Sequence, residues 1–188
     1  KIEQLLNHTD SKGFSALFFI DLDNFKDIND TFGHKVGDET LIKAADIIKN
    51  IFRPDDIIGR IGGDEYLVFI TGIPNLQVLR KKAYRLVQSL QLHYAYGSDS
   101  SINISASIGL AIHHLGETMD ELYKRADAAL YRAKELGRNT YYLSDGNALE
   151  LHCRTAETLE NIPGNLKPIH LQTLLDNMAG GVILVEIA

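Results

Sequence analysis

Two glycines followed by two acidic residues lie between two short apolar runs, where the chain is predicted to reverse as a β-hairpin. They are Gly62, Gly63, Asp64 and Glu65. Glycine lets the backbone turn sharply and lets a phosphate or another backbone approach closely. Carboxylate oxygens are the ligands that Mg²⁺ and Mn²⁺ prefer. The pattern therefore indicates a metal or phosphate site, although the four residues taken alone are more simply a solvated turn.

A second acidic pair, Asp21 and Asp23, follows the unbroken apolar run 16–20, which predicts a strand buried on both faces. Carboxylates at the end of such a strand are costly unless they are paired or bound to cations. If this strand lies beside the hairpin, three or four carboxylates meet at one edge of the sheet. That donor set suits a divalent cation holding a nucleoside triphosphate. The alternative is that one of the two acids caps the helix beginning near Asn24.

Together with the segments around them, these residues resemble the GGDEF family of diguanylate cyclases. The motifs that carry the resemblance are DLDNFKDINDTFGHKVGD at 21–38, RIGGDEY at 60–66 and ADAALYRAKELGRN at 126–139. The likeness covers roughly residues 14 to 145. One departure is Tyr66, which stands where the family usually has phenylalanine and adds a hydroxyl to the ring.

The resemblance implies an α+β fold, a nucleotide-cyclase or palm-like (ferredoxin-like) sandwich. Its mainly antiparallel sheet of about five strands is flanked by helices. Apolar periodicity predicts strands at about 16–21, 57–61, 67–70, 102–112 and 141–143. It predicts helices at about 25–32, 38–52, 76–90 and 119–136, the last ended by Gly137.

The activity implied by the resemblance is the condensation of two GTP molecules into cyclic di-GMP with release of two pyrophosphates. Each ribose 3′-hydroxyl attacks the α-phosphorus of the other GTP. By similarity, two Mg²⁺ or Mn²⁺ ions per site are bound by Asp21, the backbone carbonyl of Leu22, Asp64 and Glu65. The catalytic residues are then Asp21, Asp64 and Glu65, and Glu65 is either a ligand of the second metal or helps to deprotonate the 3′-hydroxyl.

The same similarity assigns the substrate contacts. Guanine is read by Asn29 and Asp38, a donor and acceptor pair that adenine cannot satisfy. The remaining contacts, mostly to phosphate, fall to Lys26, Lys134, Arg138, Phe25, Gly62 and Gly63. The two cations of the closing motif, four residues apart, are expected on one side of the last helical turn. Structural alternatives stay open: Asp38 as the N-cap of the helix after Gly37, Asn29 as a surface residue, and the closing cations as partners of a helix C-terminus.

Arg53 and Asp56 have the spacing of the family's product-inhibition site, so the resemblance implies that cyclic di-GMP is inhibitor as well as product. The alternative is an exposed ion pair of little energetic weight. Because each domain carries one GTP, catalysis is expected to need a homodimer. Two other functions remain: a catalytically weak module that binds GTP or cyclic di-GMP as a regulatory domain, and a purely structural domain.

Composition limits the classes of ligand and the cellular compartment to be expected. The formal net charge is −6, which argues against general nucleic-acid binding because no basic stripe is present. Cys153 is the only cysteine, so an internal disulfide is excluded and a reducing, cytoplasmic compartment is expected. No stretch has the roughly 20 apolar residues of a membrane helix, so membrane contact by this chain is not expected, although a parent protein could be tethered.

The predicted domains are the GGDEF domain at 1–145, a linker at 146–170 and the truncated start of a PAS-like domain at 171–188. The family's usual opening segment is missing before Lys1. The linker is predicted from Gly146, Pro163, Gly164 and Pro168, which interrupt short helical stretches. We therefore expect the chain to be part of a longer protein.

Overall fold

A computed structural model describes residues 13–96, 100–144, 151–155 and 182–186. The helices in this part are α1 (Phe25–Phe32), α2 (His34–Ile51), α3 (Leu76–Ser89) and α4 (Met119–Glu135). The strands are β1 (Phe14–Asp23), β2 (Ile57–Gly62), β3 (Glu65–Ile73), β4 (Leu92–Tyr96), β5 (Ser100–Ile112), β6 (Tyr141–Ser144), β7 (Leu151–Thr155) and β8 (Val182–Glu186).

The sheet has the order β2-β3-β1-β5-β6-β7-β8, and β4 pairs with β5 outside this path. All pairings are antiparallel except that of β5 with β6. The predicted α+β fold with a mainly antiparallel sheet is confirmed. In the described residues the sheet has eight strands, three more than the predicted number of about five, and the additional strands are β4, β7 and β8.

Strand β1 lies between β3 and β5, and helices cover both of its faces, which explains its unbroken apolar run. Phe18 and Ile20 belong to the core formed with α1, α2 and α3, and both are fully buried. Leu17 and Phe19 point to the other face and pack against Leu122, Ala126 and Leu130 of α4. The end of β1 is therefore held between two helical layers.

The start of α2 corrects one interpretation. Helix α2 begins at His34, four residues before the predicted start, and Asp38 lies in its second turn. The alternative that Asp38 caps this helix is therefore wrong. Helix α4 begins as its sequence suggests, because Thr118 accepts a bond from the backbone of Glu121 and the Glu121 carboxylate bonds back to the N-cap residue.

The C-terminal domain boundaries stay predictions. Strand β7 falls inside the stretch interpreted as a linker, and β8 falls inside the stretch interpreted as PAS-like. The two strands pair with each other in register from Leu151 with Glu186 to Thr155 with Val182. The other residues of both stretches lie outside the described part of the chain. Within that part, no helix is long and apolar enough to cross a bilayer.

A partly buried ion pair joins the start of α4 to the sheet. The Arg125 guanidinium binds both carboxylate oxygens of Glu117, at 2.6 and 2.7 Å, and also donates to the carbonyls of Ile112 and Ser144. Burial on its own raises the pKa of Glu117. Hydrogen bonds from Arg125 and from the backbone N–H of His114, with the guanidinium charge, outweigh that effect and hold the pKa below its ordinary value of 4.5.

We expect Glu117→Gln to lower the free energy of unfolding by about 2 kcal/mol at pH 7, because Arg125 loses its charged partner while partly buried. A carboxylate whose pKa is lower in the folded state stabilises the fold fully above about pH 4.5. That contribution is lost as the pH falls through the lowered pKa. Urea unfolding between pH 7 and pH 3 should therefore show the variant and the wild type converging at low pH.

Glu135→Gln, at the C-terminal end of α4, is the control. Its carboxylate pairs with Arg132 at 2.9 Å, and both side chains are largely exposed. Exposed pairs of this kind contribute little, so its effect should stay within about 0.5 kcal/mol at every pH. A difference between Glu117→Gln and wild type that does not change with pH would contradict the ion-pair explanation.

Candidate active site

The end of β1 and the glycine-tipped hairpin meet in the sheet. Asp21 of β1 lies opposite Glu65 of β3 in the antiparallel register. The backbone N–H of Leu22 donates to the carbonyl of Asp64 at 3.3 Å, and the Asp64 carboxylate is close enough to influence the pKa of Asp21. The structure thus brings together Asp21, Asp64 and Glu65.

The hairpin tip is shaped by its glycines. Gly63 has a φ of 41°, in the left-handed region that residues with a side chain seldom adopt. The Arg60 guanidinium donates to the Gly63 carbonyl at 2.8 Å and so supports the turn. A Cβ at Gly62 or Gly63 would meet no atom within 4 Å. The space beside the tip is therefore open to an incoming ligand.

Lys134 of α4 pairs with Asp21 in the acidic centre. Its ammonium lies 2.8 Å from the Asp21 carboxylate, whose side chain is only 12% exposed. Burial raises the pKa of Asp21, and the carboxylates of Asp64 and Asp23 raise it further, while the hydrogen bond and charge of Lys134 oppose the rise. An added positive charge at this centre would favour the ionised form of the Asp21 carboxylate.

The donor set fits a hard divalent cation that is shared with a ligand. Asp21, Asp64 and the carbonyl of Leu22 supply oxygen only, which is the preference of Mg²⁺ and Mn²⁺. In the described part of the chain, no three side chains of His, Cys, Asp or Glu converge closely enough to hold a metal by themselves. Mg²⁺ typically uses one or two carboxylates and completes its shell with water and substrate phosphate. The residues present match that mode.

Asp23 does not join this centre, where three or four carboxylates were predicted to meet. Its buried carboxylate accepts hydrogen bonds from Ser105 Oγ and Ser107 Oγ, each at 2.6 Å, and from the backbone N–H of Asn139 at 3.0 Å. The capping alternative is also wrong for both acids. The N-cap of α1 is Asn24, in a left-handed conformation and with no side-chain cap bond.

Asn29, one of the two residues assigned to guanine, packs against Gly37, the residue before the other, Asp38. A Cβ at Gly37 would come within 2.0 Å of Asn29 Oδ1 and 3.3 Å of the Phe25 ring, so only glycine leaves room for this packing. The Asn29 side chain of α1 therefore lies directly against α2 at the residue before Asp38. Asn29 is half-buried and Asp38 is exposed, as a contact with an incoming ligand requires.

A groove of about 510 Å³ extends from Asp38 along α2 to the hairpin. Arg60 and Tyr66 form part of its wall on the sheet side. The Tyr66 ring is buried, and its hydroxyl donates to the Leu41 carbonyl of α2 at 2.9 Å, which provides a partner for the extra oxygen at this position. The groove thus runs from Asp38 to the strands of the hairpin that carries Asp64.

The predicted phosphate contacts are placed differently from one another. Lys26 is exposed in the first turn of α1, next to the half-buried Phe25. Arg138 was expected on the last turn of the closing helix, and this was wrong. Helix α4 ends at Glu135, and Arg138 follows in a left-handed conformation with φ of 63°. Its backbone N–H bonds back to the Ala133 carbonyl at 3.2 Å.

Arg53 and Asp56 form a tight turn between α2 and β2. The Asp56 carboxylate accepts from the backbone N–H of Arg53 at 2.8 Å, and the Asp56 N–H donates to the Arg53 carbonyl at 3.0 Å. Of the ion pairs in the described residues, none joins the Arg53 guanidinium to Asp56, so the ion-pair alternative is wrong. Burial lowers the pKa of nearby Lys82; Asp56 opposes this, whereas Arg53 and Arg85 add to it.

Comparison with known proteins is consistent with this geometry. The family model for the diguanylate cyclase GGDEF domain matches residues 1–140. The chain belongs to the GGDEF family. Its GGDEF domain is 40% identical over 135 residues to the diguanylate cyclase DgcS of Shewanella oneidensis, covering 71% of this chain and 43% of that protein. It is 39% identical over 125 residues to the diguanylate cyclase DgcM of Escherichia coli, covering 66% and 29%. The chain thus spans less than half of each relative.

Solved structures agree with the fold of the GGDEF domain. The GGDEF domain of DgcB from Caulobacter crescentus, in complex with c-di-GMP, superposes with a TM-score of 0.60 at 30% sequence identity. That likeness covers 68% of this chain and 75% of the DgcB chain.

Several site residues of the GGDEF domain were missed from sequence. Arg60 supports the hairpin and lines the groove, and its place before the two glycines was the only signal. Ser105, Ser107 and Asn139 hold Asp23. The alternation of small polar and apolar residues along 104–108 indicates that the two serines share one face of β5, but not which acid they meet.

Proposed function

We propose that this chain is a diguanylate cyclase domain that condenses two GTP molecules into cyclic di-GMP and two pyrophosphates. The observation that carries the proposal is the meeting of Asp21 with the hairpin that carries Asp64. The Lys134 ammonium lies 2.8 Å from the Asp21 carboxylate there. Membership of the GGDEF family supports the same activity. Because GTP is an intracellular nucleotide, we place the domain in the cytoplasm.

The acidic centre holds the reacting groups. Asp21, the Leu22 carbonyl, Asp64 and Glu65 would hold two Mg²⁺ or Mn²⁺ ions, which supply charge neutralisation on the phosphoryl group. Glu65, opposite Asp21 in the register, is either a ligand or the base for the 3′-hydroxyl. The 3′-oxygen bonds to the α-phosphorus of the other GTP as the bond to pyrophosphate breaks. This chemistry needs positioning and charge neutralisation rather than a covalent enzyme intermediate.

The cations around the centre hold the triphosphate. In this structure the Lys134 ammonium pairs with Asp21. Once other cations bind the carboxylates, the ammonium can bind the phosphates instead. Arg138 follows α4 and Lys26 lies in the first turn of α1, where the helix N-terminus also favours an anion. The open space beside Gly62 and Gly63 lets the phosphates approach the hairpin backbone.

Guanine specificity rests on Asn29 and Asp38. The Asp38 carboxylate accepts from the ring N–H and the exocyclic amine of guanine, and Asn29 supplies both a donor and an acceptor. Adenine lacks this pattern and would leave both side chains without partners. A single domain binds one GTP, so two copies must face each other, and the active form is a homodimer.

The first test is incubation of the purified chain with GTP and Mg²⁺, followed by mass spectrometry. We expect cyclic di-GMP, with specific activity that rises with protein concentration because the dimer is the active form. Asp64→Asn should lower the rate at least about 100-fold, because the phosphoryl group loses an ion-binding carboxylate.

Asp46→Asn is the control, since Asp46 is an exposed acid of α2 whose ion pair is with Lys49 and not with a residue of the acidic centre. It should turn over GTP like the wild type. Absence of cyclic di-GMP from folded, concentrated wild-type protein, with GTP still bound, would instead indicate a regulatory binding module.

A second test addresses base recognition. Gly37→Ala would push its methyl group into Asn29, so we expect a loss of GTP affinity of about tenfold and reduced discrimination against ATP. Calorimetry with both nucleotides measures this. Glu39→Ala, on the exposed side of the same helix, should leave both affinities unchanged. An unchanged GTP preference in Gly37→Ala would argue against Asn29 as a base-reading residue.

We also propose that Arg53 and Asp56 bind cyclic di-GMP as an inhibitor. Arg53 is exposed and can hold a phosphate or a guanine edge with two parallel hydrogen bonds. The charge of Lys82 interacts with those of Arg53 and Arg85, so three cations lie close together beside the turn. The turn already fixes the Asp56 carboxylate through the Arg53 N–H.

Arg53→Ala should abolish inhibition by cyclic di-GMP while the initial rate of synthesis stays close to that of the wild type. The guanidinium is lost, but the backbone N–H that holds Asp56 remains. The measurement is the initial rate at increasing added cyclic di-GMP, with calorimetry for binding. Lys124→Ala, an exposed cation of α4, is the control. Inhibition that persists unchanged in Arg53→Ala would refute this site.

A further inference from the structure

Asp23 is a buried acid that the proposed chemistry does not use. It is 2% exposed, and it lies on the same face of β1 as Asp21, two residues away. All three of its hydrogen bonds come from uncharged donors. One oxygen accepts from Ser105 Oγ and from the Asn139 N–H, and the other accepts from Ser107 Oγ.

The bond to Asn139 fixes an unusual piece of backbone. Arg138 and Asn139 are consecutive residues in the left-handed region, with φ of 63° and 49°. Residues with a side chain rarely adopt this conformation, so the surroundings must hold it in place. Asp23 binds the backbone of this turn at 3.0 Å, and Gln91 binds the Asn139 side chain at 3.1 Å.

The turn joins the two cations of the closing motif. Lys134 lies in the last turn of α4, and Arg138 comes directly before the residue that Asp23 holds. Without the left-handed turn, the chain after α4 would leave in another direction, and Arg138 would leave with it. The distance between these two cations therefore depends on the anchor at the end of β1.

We propose that Asp23 is a positioning residue that sets the triphosphate-binding arm of the domain, formed by Lys134 and Arg138. It acts through the Asn139 backbone and touches neither metal nor substrate. This inference rests on the proposed function, because it assumes that the arm binds the phosphates of GTP. Neighbouring acids of one motif thus have separate tasks, with Asp21 binding cations and Asp23 orienting the arm.

Nucleotide binding separates this role from others. The ligands are 3′-deoxy-GTP, which lacks the attacking hydroxyl, and GMP, which lacks the two outer phosphates. Asp23→Ala should lower the affinity for 3′-deoxy-GTP by about tenfold and the affinity for GMP by less than about twofold, as measured by calorimetry. Asp23→Ser, whose hydroxyl is too short to reach Asn139, should behave in the same way if the alanine variant does not fold.

Asp23→Asn is the conservative variant that should rescue binding. Its amide oxygen can keep the bonds from Ser105 and Asn139, while its NH₂ donates to the Ser107 hydroxyl, which can accept. A ligand of a metal would lose its function in this variant, whereas an anchor would keep it. We expect an affinity for 3′-deoxy-GTP within about threefold of the wild type.

Thr118→Ala is the matched control for lost stability. It removes the N-cap of α4, at the end of the helix opposite to Lys134. It should lower the melting temperature without changing the ratio of the affinities for 3′-deoxy-GTP and GMP. Lys134→Gln verifies that the arm binds phosphate, because it should weaken 3′-deoxy-GTP selectively.

The outcomes are distinct. Selective weakening of 3′-deoxy-GTP by Asp23→Ala, with recovery in Asp23→Asn, supports the positioning role. Equal weakening of both nucleotides, or an asparagine variant as defective as the alanine variant, overturns it. If Lys134→Gln weakens 3′-deoxy-GTP and Asp23→Ala does not, the inference fails and the proposed function stands. If folded wild type binds neither nucleotide, the proposed function fails and this inference fails with it.

Discussion

Two carboxylates on one face of a buried strand are the constraint on which the site depends. Removing a carboxylate from water is costly unless other groups replace the lost hydration. The protein meets this cost for Asp21 with the Lys134 ammonium and for Asp23 with two hydroxyls and one backbone N–H. The two solutions require α4 on the same side of the sheet, and the packing of Leu17 and Phe19 against that helix places it there.

The different partners also give the two acids different mobility. A single flexible ammonium can be exchanged for another cation, so the charge of Asp21 remains available to a ligand. Three hydrogen bonds from groups fixed in β5 and in the turn after α4 leave Asp23 little freedom. The strand therefore ends with an exchangeable site next to a rigid one.

Much of this arrangement could be predicted from sequence, and the failures have physical reasons. The apolar run 16–20 and the glycine-containing hairpin were located correctly because burial and turn formation are local signals. The start of helix α2 was predicted too late in the sequence, because its N-cap residue, Gly33, has no side chain that could signal a capping bond. Strand β4 was missed, and Arg138 was placed on a helix that ends before it. Asp21 and Asp23 are identical in type, and they differ only in the partners that the fold brings to them, Lys134 for the first and Ser105, Ser107 and Asn139 for the second.

The partners of Asp23 are far apart in the chain. Its serines are 82 and 84 residues away and Asn139 is 116 residues away. Closing loops of this length costs entropy that is recovered only after the long-range strand pairs form. We therefore expect the polar end of β1 to be completed late in folding. A partly folded chain presents its acids to water without a shaped receptor, so the capacity to recognise a ligand arises together with the finished fold.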